Sequence, residues 1–334
     1  MSKYLDLREE IDEFKIEEAA EIIKNGGIVV FPTETVYGIG ANGLDLNAVE
    51  KIYTAKEREH NKPLILLISD KKMLEQVAEN ISDVEMKLMQ AFWPGPLTII
   101  LKKKSTVPDI VTAGSETVGV RMTSGEIARK LIEKCNFPIT APSANIAGKP
   151  SGTSVSDIFE ELNNKVDCII DGGDSKVGIE STVVRVIDGI PHILRLGEIT
   201  PEQIKNVVGT VKVEQNDLQQ KQYAPNSECV LVYSEDENKM IDKIKEIALK
   251  HKKVTILSSK EHVEIYKNIT NLVINIGSIK DLNEVSKNIF STLRQVDKEK
   301  PDLVIIEGVK QEGIGLAIMN RLIKACGNNY IKIQ

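Results

Sequence analysis

The chain has 334 residues, of which 41% are hydrophobic and 28% charged, and its formal net charge is −6. That length allows two ordinary domains with separate cores, and the balance is that of a soluble globular protein rather than a disordered or membrane-embedded one. No apolar run approaches the roughly 18 residues of a membrane span, and the charged start "MSKYLDLREEIDEFK" has no apolar signal segment, so a cytoplasmic location is expected.

In chain order, "FKIEEAAEIIK" sets Ile16, Ala19, Ala20 and Ile23 on one helical stripe, closed by Gly26 and Gly27. "IVVF" (28–31) follows as a short buried strand, and the loop "PTETVYGIGANG" fits neither common phosphate-loop fingerprint. "DLNAVEKIYTAK" reads as a helix and "PLILLIS" as a buried strand. "SDVEMKLMQAFW" reads as a helix with Ser82 as cap and Glu85 at the capping-box position. "PLTIILK" and "TVGVRM" are strands, "SGEIARKLIEKC" a helix, "FPITAPSAN" a strand opening into a loop, and "VSDIFEELNN" a helix. Three more strands, "VDCIIDGG", "STVVRVID" and "PHILRLG", complete the first part, the last two as a hairpin.

The pattern predicts an α/β fold. Residues 1–207 form a domain with a twisted mixed sheet and packed helices. The polar, glutamine-rich stretch 208–228 reads as a linker. Residues 229–334 alternate strand and helix as a smaller parallel three-layer, Rossmann-like domain.

Polar residues gather at strand ends in five places. These are the "PTETVYG" loop with Thr33, Thr35 and Tyr37; "AKEREHNKPL" with Lys56, Arg58 and Lys62; and "ETVGVRM" with Thr117 and Arg121 on one strand face. The fourth is "APSANIAGKPSGTS" with Ser143, Asn145, Lys149, Ser151 and Thr153, and the fifth joins Ser181 and Thr182 to Arg195. Each has a structural reading too. The basic loop is an ordinary solvated face, and the hydroxyls are ordinary caps and turns. A guanidinium inside an apolar strand needs an anion. For Arg121 that anion is Glu34, Glu116 or Glu180, or else a ligand carboxylate or phosphate.

Together, Arg and Lys beside hydroxyl and glycine donors make the inventory of a multiply charged phosphate site. The four cysteines and four histidines are scattered, without metal-ligand spacing or a nucleophile–base arrangement, so neither a metal site nor a covalent intermediate is expected. The residues alone point to a nucleotide-using enzyme or a small RNA-binding surface. The acidic total charge argues against the second and leaves direct tRNA binding open.

"PTETVYGIGAN", "KIYTAKEREHNKPL", "FWPGPLTIIL", "TVGVRM", "APSANIAGKPSGTS" and "ESTVVRV…ILRLG" resemble, in order and spacing, the YrdC-like threonylcarbamoyl-AMP synthases. "GIGLAIMNRLIKA" resembles the end of the accessory domain of the longer, two-domain members. The resemblance implies synthesis of L-threonylcarbamoyladenylate and pyrophosphate from L-threonine, bicarbonate and ATP, with Mg²⁺ accompanying ATP. The product feeds N6-threonylcarbamoyladenosine modification of tRNA through downstream transferase proteins.

By the same resemblance, Thr35, Arg121, Ser181 and the Ala141 backbone line the threonine pocket. Arg58, Lys62, Thr117, Ser143, Ser151 and Arg195 hold ATP, with Lys56 and Asn145 beside them. Arg58 and Lys62 would stabilise phosphoryl charge, and the linker, ending at Tyr223, would fold over the site as a lid and bring Tyr223 to ATP. Three departures stand out: Glu57 and Glu59 where many members have Gly and Pro, Leu67 where many long members have histidine, and a linker without the usual basic, glycine-containing run. The rival readings are an RNA-binding module without catalysis and a related enzyme adenylating a carbamate for another acceptor.

Overall fold

The computed structural model describes residues 1–214, 222–270 and 272–334. Two units separate, Met1–Ala147 with Ser151–Gln215, and Gly148–Pro150 with Asn216–Gln334.

The first unit begins with β1 (Lys3–Asp6), α1 (Glu13–Lys24), β2 (Val29–Phe31), β3 (Gly38–Asn42), α2 (Leu46–Lys56) and β4 (Ile65–Ile68). It continues with α3 (Lys71–Val77), β5 (Ala78–Glu79), α4 (Asp83–Phe92), β6 (Leu97–Lys103), α5 (Asp109–Thr112), β7 (Thr117–Met122) and α6 (Glu126–Cys135). β8 (Ile139–Thr140), α7 (Val155–Leu162), β9 (Cys168–Asp171), β10 (Thr182–Ile187), β11 (Ile190–Arg195), α8 (Pro201–Val208) and β12 (Lys212–Val213) complete it.

Local chemistry accounts for most of these limits. Asp12 caps α1 by accepting from the Phe14 and Lys15 amides, and the helix buries the expected stripe of Ile16, Ala19, Ala20 and Ile23. Ser82 and Glu85 close the expected capping box on α4. Among the described residues the strands run β1-β9-β2-β3-β8-β4-β7-β6-β10-β11-β12, with β5 paired to β6. Parallel pairs such as β4–β7 alternate with antiparallel ones such as β6–β7, and β10–β11 is the expected hairpin. The fold is therefore the mixed α/β sheet that the sequence predicts.

The glycine-rich end of the loop after the first buried strand, Gly38–Asn42, is itself a strand. β3 pairs antiparallel with β2, and Gly40 lies opposite Val29. Its glycines hide the signal, because glycine weakens a strand and is placed there mainly where another group must come close. At Gly40 something does: a Cβ there would stand 2.4 Å from Phe31 Cε1 and 2.9 Å from Ile139 Cγ2. The stretch read as a linker also starts later than expected. Val208 ends α8, and β12 pairs with β11. Residues 215–221, the heart of the expected lid, lie outside the described residues.

The second unit holds β13 (Cys229–Ser234), α9 (Glu237–Ala248), β14 (Val254–Ser259), α10 (Val263–Lys267), β15 (Val273–Gly277), α11 (Leu282–Glu299), β16 (Leu303–Glu307), α12 (Gly315–Ala325) and β17 (Tyr330–Ile333). Its strands run β15-β14-β16-β13-β17, all parallel, with β13, β14 and β16 fully buried. That is the predicted parallel α/β arrangement. β17 lies at the edge of this sheet, parallel to β13.

Because the Gly40 position is already filled by Phe31 and Ile139, Gly40→Val should lower the unfolding free energy in a urea titration by about 1–3 kcal/mol.

Candidate active site

Arg121 lies on β7 between β4 and β6, with Leu67 opposite it in register. It is buried, and its guanidinium has three neighbours: Nη1 donates to Thr35 Oγ1 at 3.0 Å, Nε donates to the Gly95 carbonyl at 3.2 Å, and Nη2 lies 2.7 Å from Glu34 Oε1. The last contact is off hydrogen-bond alignment, so it is an ion pair by distance and charge. Of the three carboxylates that the sequence offers Arg121, the partner is Glu34.

Glu34 is itself saturated. It accepts from the Thr123 hydroxyl, the Ser124 amide at 3.1 Å and the Gly125 amide at 3.3 Å. Burial alone would raise its pKa, but the Arg121 charge and these donors outweigh that and hold it at about 2. The surrounding loop, Pro32 to Tyr37, is the hub of the site. Its Glu34 and Thr35 carbonyls accept from the Val177 and Gly178 amides, and the Tyr37 amide donates to the Gly152 carbonyl. The Tyr37 carbonyl takes the Ala144 amide, and Gly38 bridges to Ser143. Three distant chain segments thus converge on one turn.

Ser181, at the mouth of β10, shares a hydrogen bond with the Thr98 hydroxyl at 2.8 Å. Arg195 donates from Nε to the Ser181 carbonyl and from Nη2 to its hydroxyl, both at 3.0 Å. Ser151 donates to Glu180, the residue before Ser181, at 2.7 Å. The Ala141 amide donates to the Ile65 carbonyl.

Lys56, at the end of α2, is buried and donates to the carbonyls of Ser143 and Asn145, the latter at 2.7 Å. Burial, then the Arg58 charge, pull its pKa down to about 7 against the opposing Glu161 and Glu180. The Ser143 hydroxyl donates to Asn145 Oδ1 at 2.6 Å. Lys56 therefore fastens the loop that carries both residues.

Arg58 donates to the Pro63 carbonyl at 3.1 Å, and Lys62 lies 3.9 Å from Glu59. Glu57 is the left-handed C-cap of α2, with φ 52°, and its carboxylate takes Lys165 at 2.7 Å. Glu57, one of the departures from the family pattern, is thus paired with Lys165. Thr117 starts the Arg121 strand and shares a hydrogen bond with Ser115. Tyr223 belongs to the second unit, where its ring lies 5.1 Å from Phe290.

The structure therefore links Thr35 with Arg121, Ser181 with Arg195, and Lys56 with Ser143 and Asn145. Sequence reading passed over Thr98. Its signal is a lone hydroxyl in the apolar run "PLTIILK". All four cysteines are free and buried, and burial pushes the Cys135 and Cys168 thiols up to about 12, far from a nucleophile's range.

A family model described as "Telomere recombination" (Sua5, YciO, YrdC) matches residues 21–197, and one described as the threonylcarbamoyl-AMP synthase C-terminal domain matches 199–327. The chain belongs to this family. A threonylcarbamoyl-AMP synthase of Pyrococcus abyssi is 40% identical over the whole of both chains, and one of Bacillus subtilis is 37% identical over 98% of each. A crystal structure of P. abyssi Sua5 complexed with L-threonine superposes with a TM-score of 0.93 at 39% identity, over all of both chains. The resemblance read from the six motifs is borne out, and the chain stands among the threonylcarbamoyl-AMP synthases, which are adenylyl-transferring enzymes.

Removing Arg121 leaves a buried, uncompensated carboxylate. Arg121→Ala should therefore cost about 3–5 kcal/mol in denaturant unfolding, and Glu34→Ala in the same chain should restore part of it. Glu34 is depressed in the folded state, so its contribution is complete above its unfolded pKa of about 4.5 and is lost as pH falls towards about 2. Unfolding titrations of Glu34→Gln across that window should show a shallower acid loss than the parent.

Proposed function

We propose that the first unit joins L-threonine, bicarbonate and ATP into L-threonylcarbamoyladenylate and releases pyrophosphate, supplying N6-threonylcarbamoyl modification of tRNA. The observation that carries this reading is the buried Arg121, held by Thr35, Gly95 and Glu34 near the C-terminal end of its strand. A guanidinium has five N–H donors, and a planar α-carboxylate is the natural taker of those left over.

In this reading Thr35, Ser181 and the Ala141 backbone complete the threonine pocket around Arg121. Arg195 reaches Ser181 from the nucleotide side, and Ser143, Asn145 and Ser151 offer polar groups to ATP. Thr117 adds a hydroxyl. Lys56 acts by fastening the Ser143–Asn145 loop, and Arg58 and Lys62 face the phosphates. ATP enters as its Mg²⁺ complex.

The chemistry is positioning and charge stabilisation. A carbamate oxygen attacks the α-phosphorus and pyrophosphate leaves in line, with the new charge met by Arg58 and Lys62; a Mg²⁺ ion carried by ATP would add positive charge there. The adenylate then passes to downstream transferase proteins.

Pyrophosphate release by the full chain, with L-threonine and bicarbonate each present or omitted, tests this. Release should require both, and Arg121→Ala and Arg58→Ala should each lower it by about 10²-fold or more. Release without L-threonine, or with another amine in its place, would overturn the substrate assignment. No release in any mixture, with salt-sensitive RNA binding, would overturn the enzyme itself.

A further inference from the structure

An amino acid that places its carboxylate on Arg121 brings its ammonium group within a few ångströms, because both leave the same carbon. That cation needs an anion, and the nitrogen must lose a proton before it can attack carbon. Glu34 fits neither task. It already takes Arg121, Thr123, Ser124 and Gly125, and it is held strongly ionised.

The structure offers a second carboxylate. Beyond Arg195 the chain turns through Gly197, which lies flat on the Ser181 peptide: a Cβ there would stand 2.4 Å from the Thr182 nitrogen and 2.6 Å from the Ser181 carbonyl carbon. The Ile199 carbonyl accepts the Thr182 hydroxyl at 2.7 Å. Thr182 in turn bonds the Pro96 carbonyl, next to the Gly95 that takes Arg121 Nε. Glu198, pinned between Gly197 and Ile199, is half-buried against this wall. Burial first, and then the Glu34 charge, raise its pKa, while Arg121 opposes them. Two carboxylates that both feel the Arg121 charge are thus driven in opposite directions, Glu34 down and Glu198 up, which separates a fixed counter-ion from a proton acceptor.

We propose that Glu198 is an acid–base residue of this site: its carboxylate receives the substrate ammonium group and takes the proton that must leave it. The inference rests on the threonine-pocket reading above. One proton moves from the ammonium nitrogen to a Glu198 oxygen, leaving a neutral amine. The amine lone pair then forms the N–C bond with bicarbonate as water departs, R–NH₂ + HCO₃⁻ → R–NH–CO₂⁻ + H₂O, and the carbamate proceeds to ATP.

The test compares Glu198→Gln and Glu198→Asp with the parent in pyrophosphate release, varying L-threonine, ATP and pH. Glu198→Gln should lose about 10²-fold in kcat/KM for L-threonine while its KM for ATP stays put. The acid limb of the parent pH profile, set by Glu198 facing Glu34 and Arg121, should vanish in Gln and survive in Asp. A Gln variant within twofold of the parent with the same acid limb would overturn the proposal. Equal losses in both variants, in kcat/KM for ATP as much as for L-threonine, would overturn it too, as a structural effect. A parent that ignores L-threonine would instead bring down the function reading, whatever the variants do.

Discussion

Everything in the site depends on one buried ion pair. Arg121 sits in the middle of a sheet, where an unpaired guanidinium would be costly, and Glu34 compensates it from the turn between β2 and β3. Glu34 is in turn fixed by the hydroxyl and amides of residues 123–125, immediately after the Arg121 strand. The pair therefore ties a turn to a strand far away in sequence, and it leaves part of the guanidinium for an anion.

Around that pair the fold supplies support. Strand ends deliver hydroxyls and arginines to one region, and backbone bonds to the Pro32–Tyr37 turn set their spacing. Lys56 anchors the Ser143–Asn145 loop, and Arg195 grips Ser181 at two atoms. Such a site works by holding its reactants in line and meeting charge as it develops. Rigidity is then the requirement, and the dense hydrogen bonding of the turn is its physical source.

Much of this was legible in the sequence. Amphipathic α1, the capping box of α4 and the hairpin of β10 and β11 follow from spacing and cap chemistry alone. Arg121 announced itself as a charge in an apolar strand, although the sequence left Glu34, Glu116 and Glu180 equally eligible as partners. What stayed hidden depends on tertiary contact. β3 is masked by its glycines, of which Gly40 leaves room for the Phe31 ring, and the Lys165 that pairs with Glu57 lies far from it in the chain. Glu198 carries no signal in sequence, because its surroundings come from strands far from it in the chain.

The central claim is that Arg121, though already paired with Glu34, still receives a ligand carboxylate. Calorimetric titration of the full chain with L-threonine and with L-threonine amide tests it most directly. The amide keeps the ammonium group and the side chain but loses the negative charge. The account predicts binding of L-threonine and an affinity for the amide about 10²-fold weaker or worse, since a buried hydrogen-bonded charge pair is lost. Equal affinities would contradict it and leave Arg121 as a purely structural partner of Glu34.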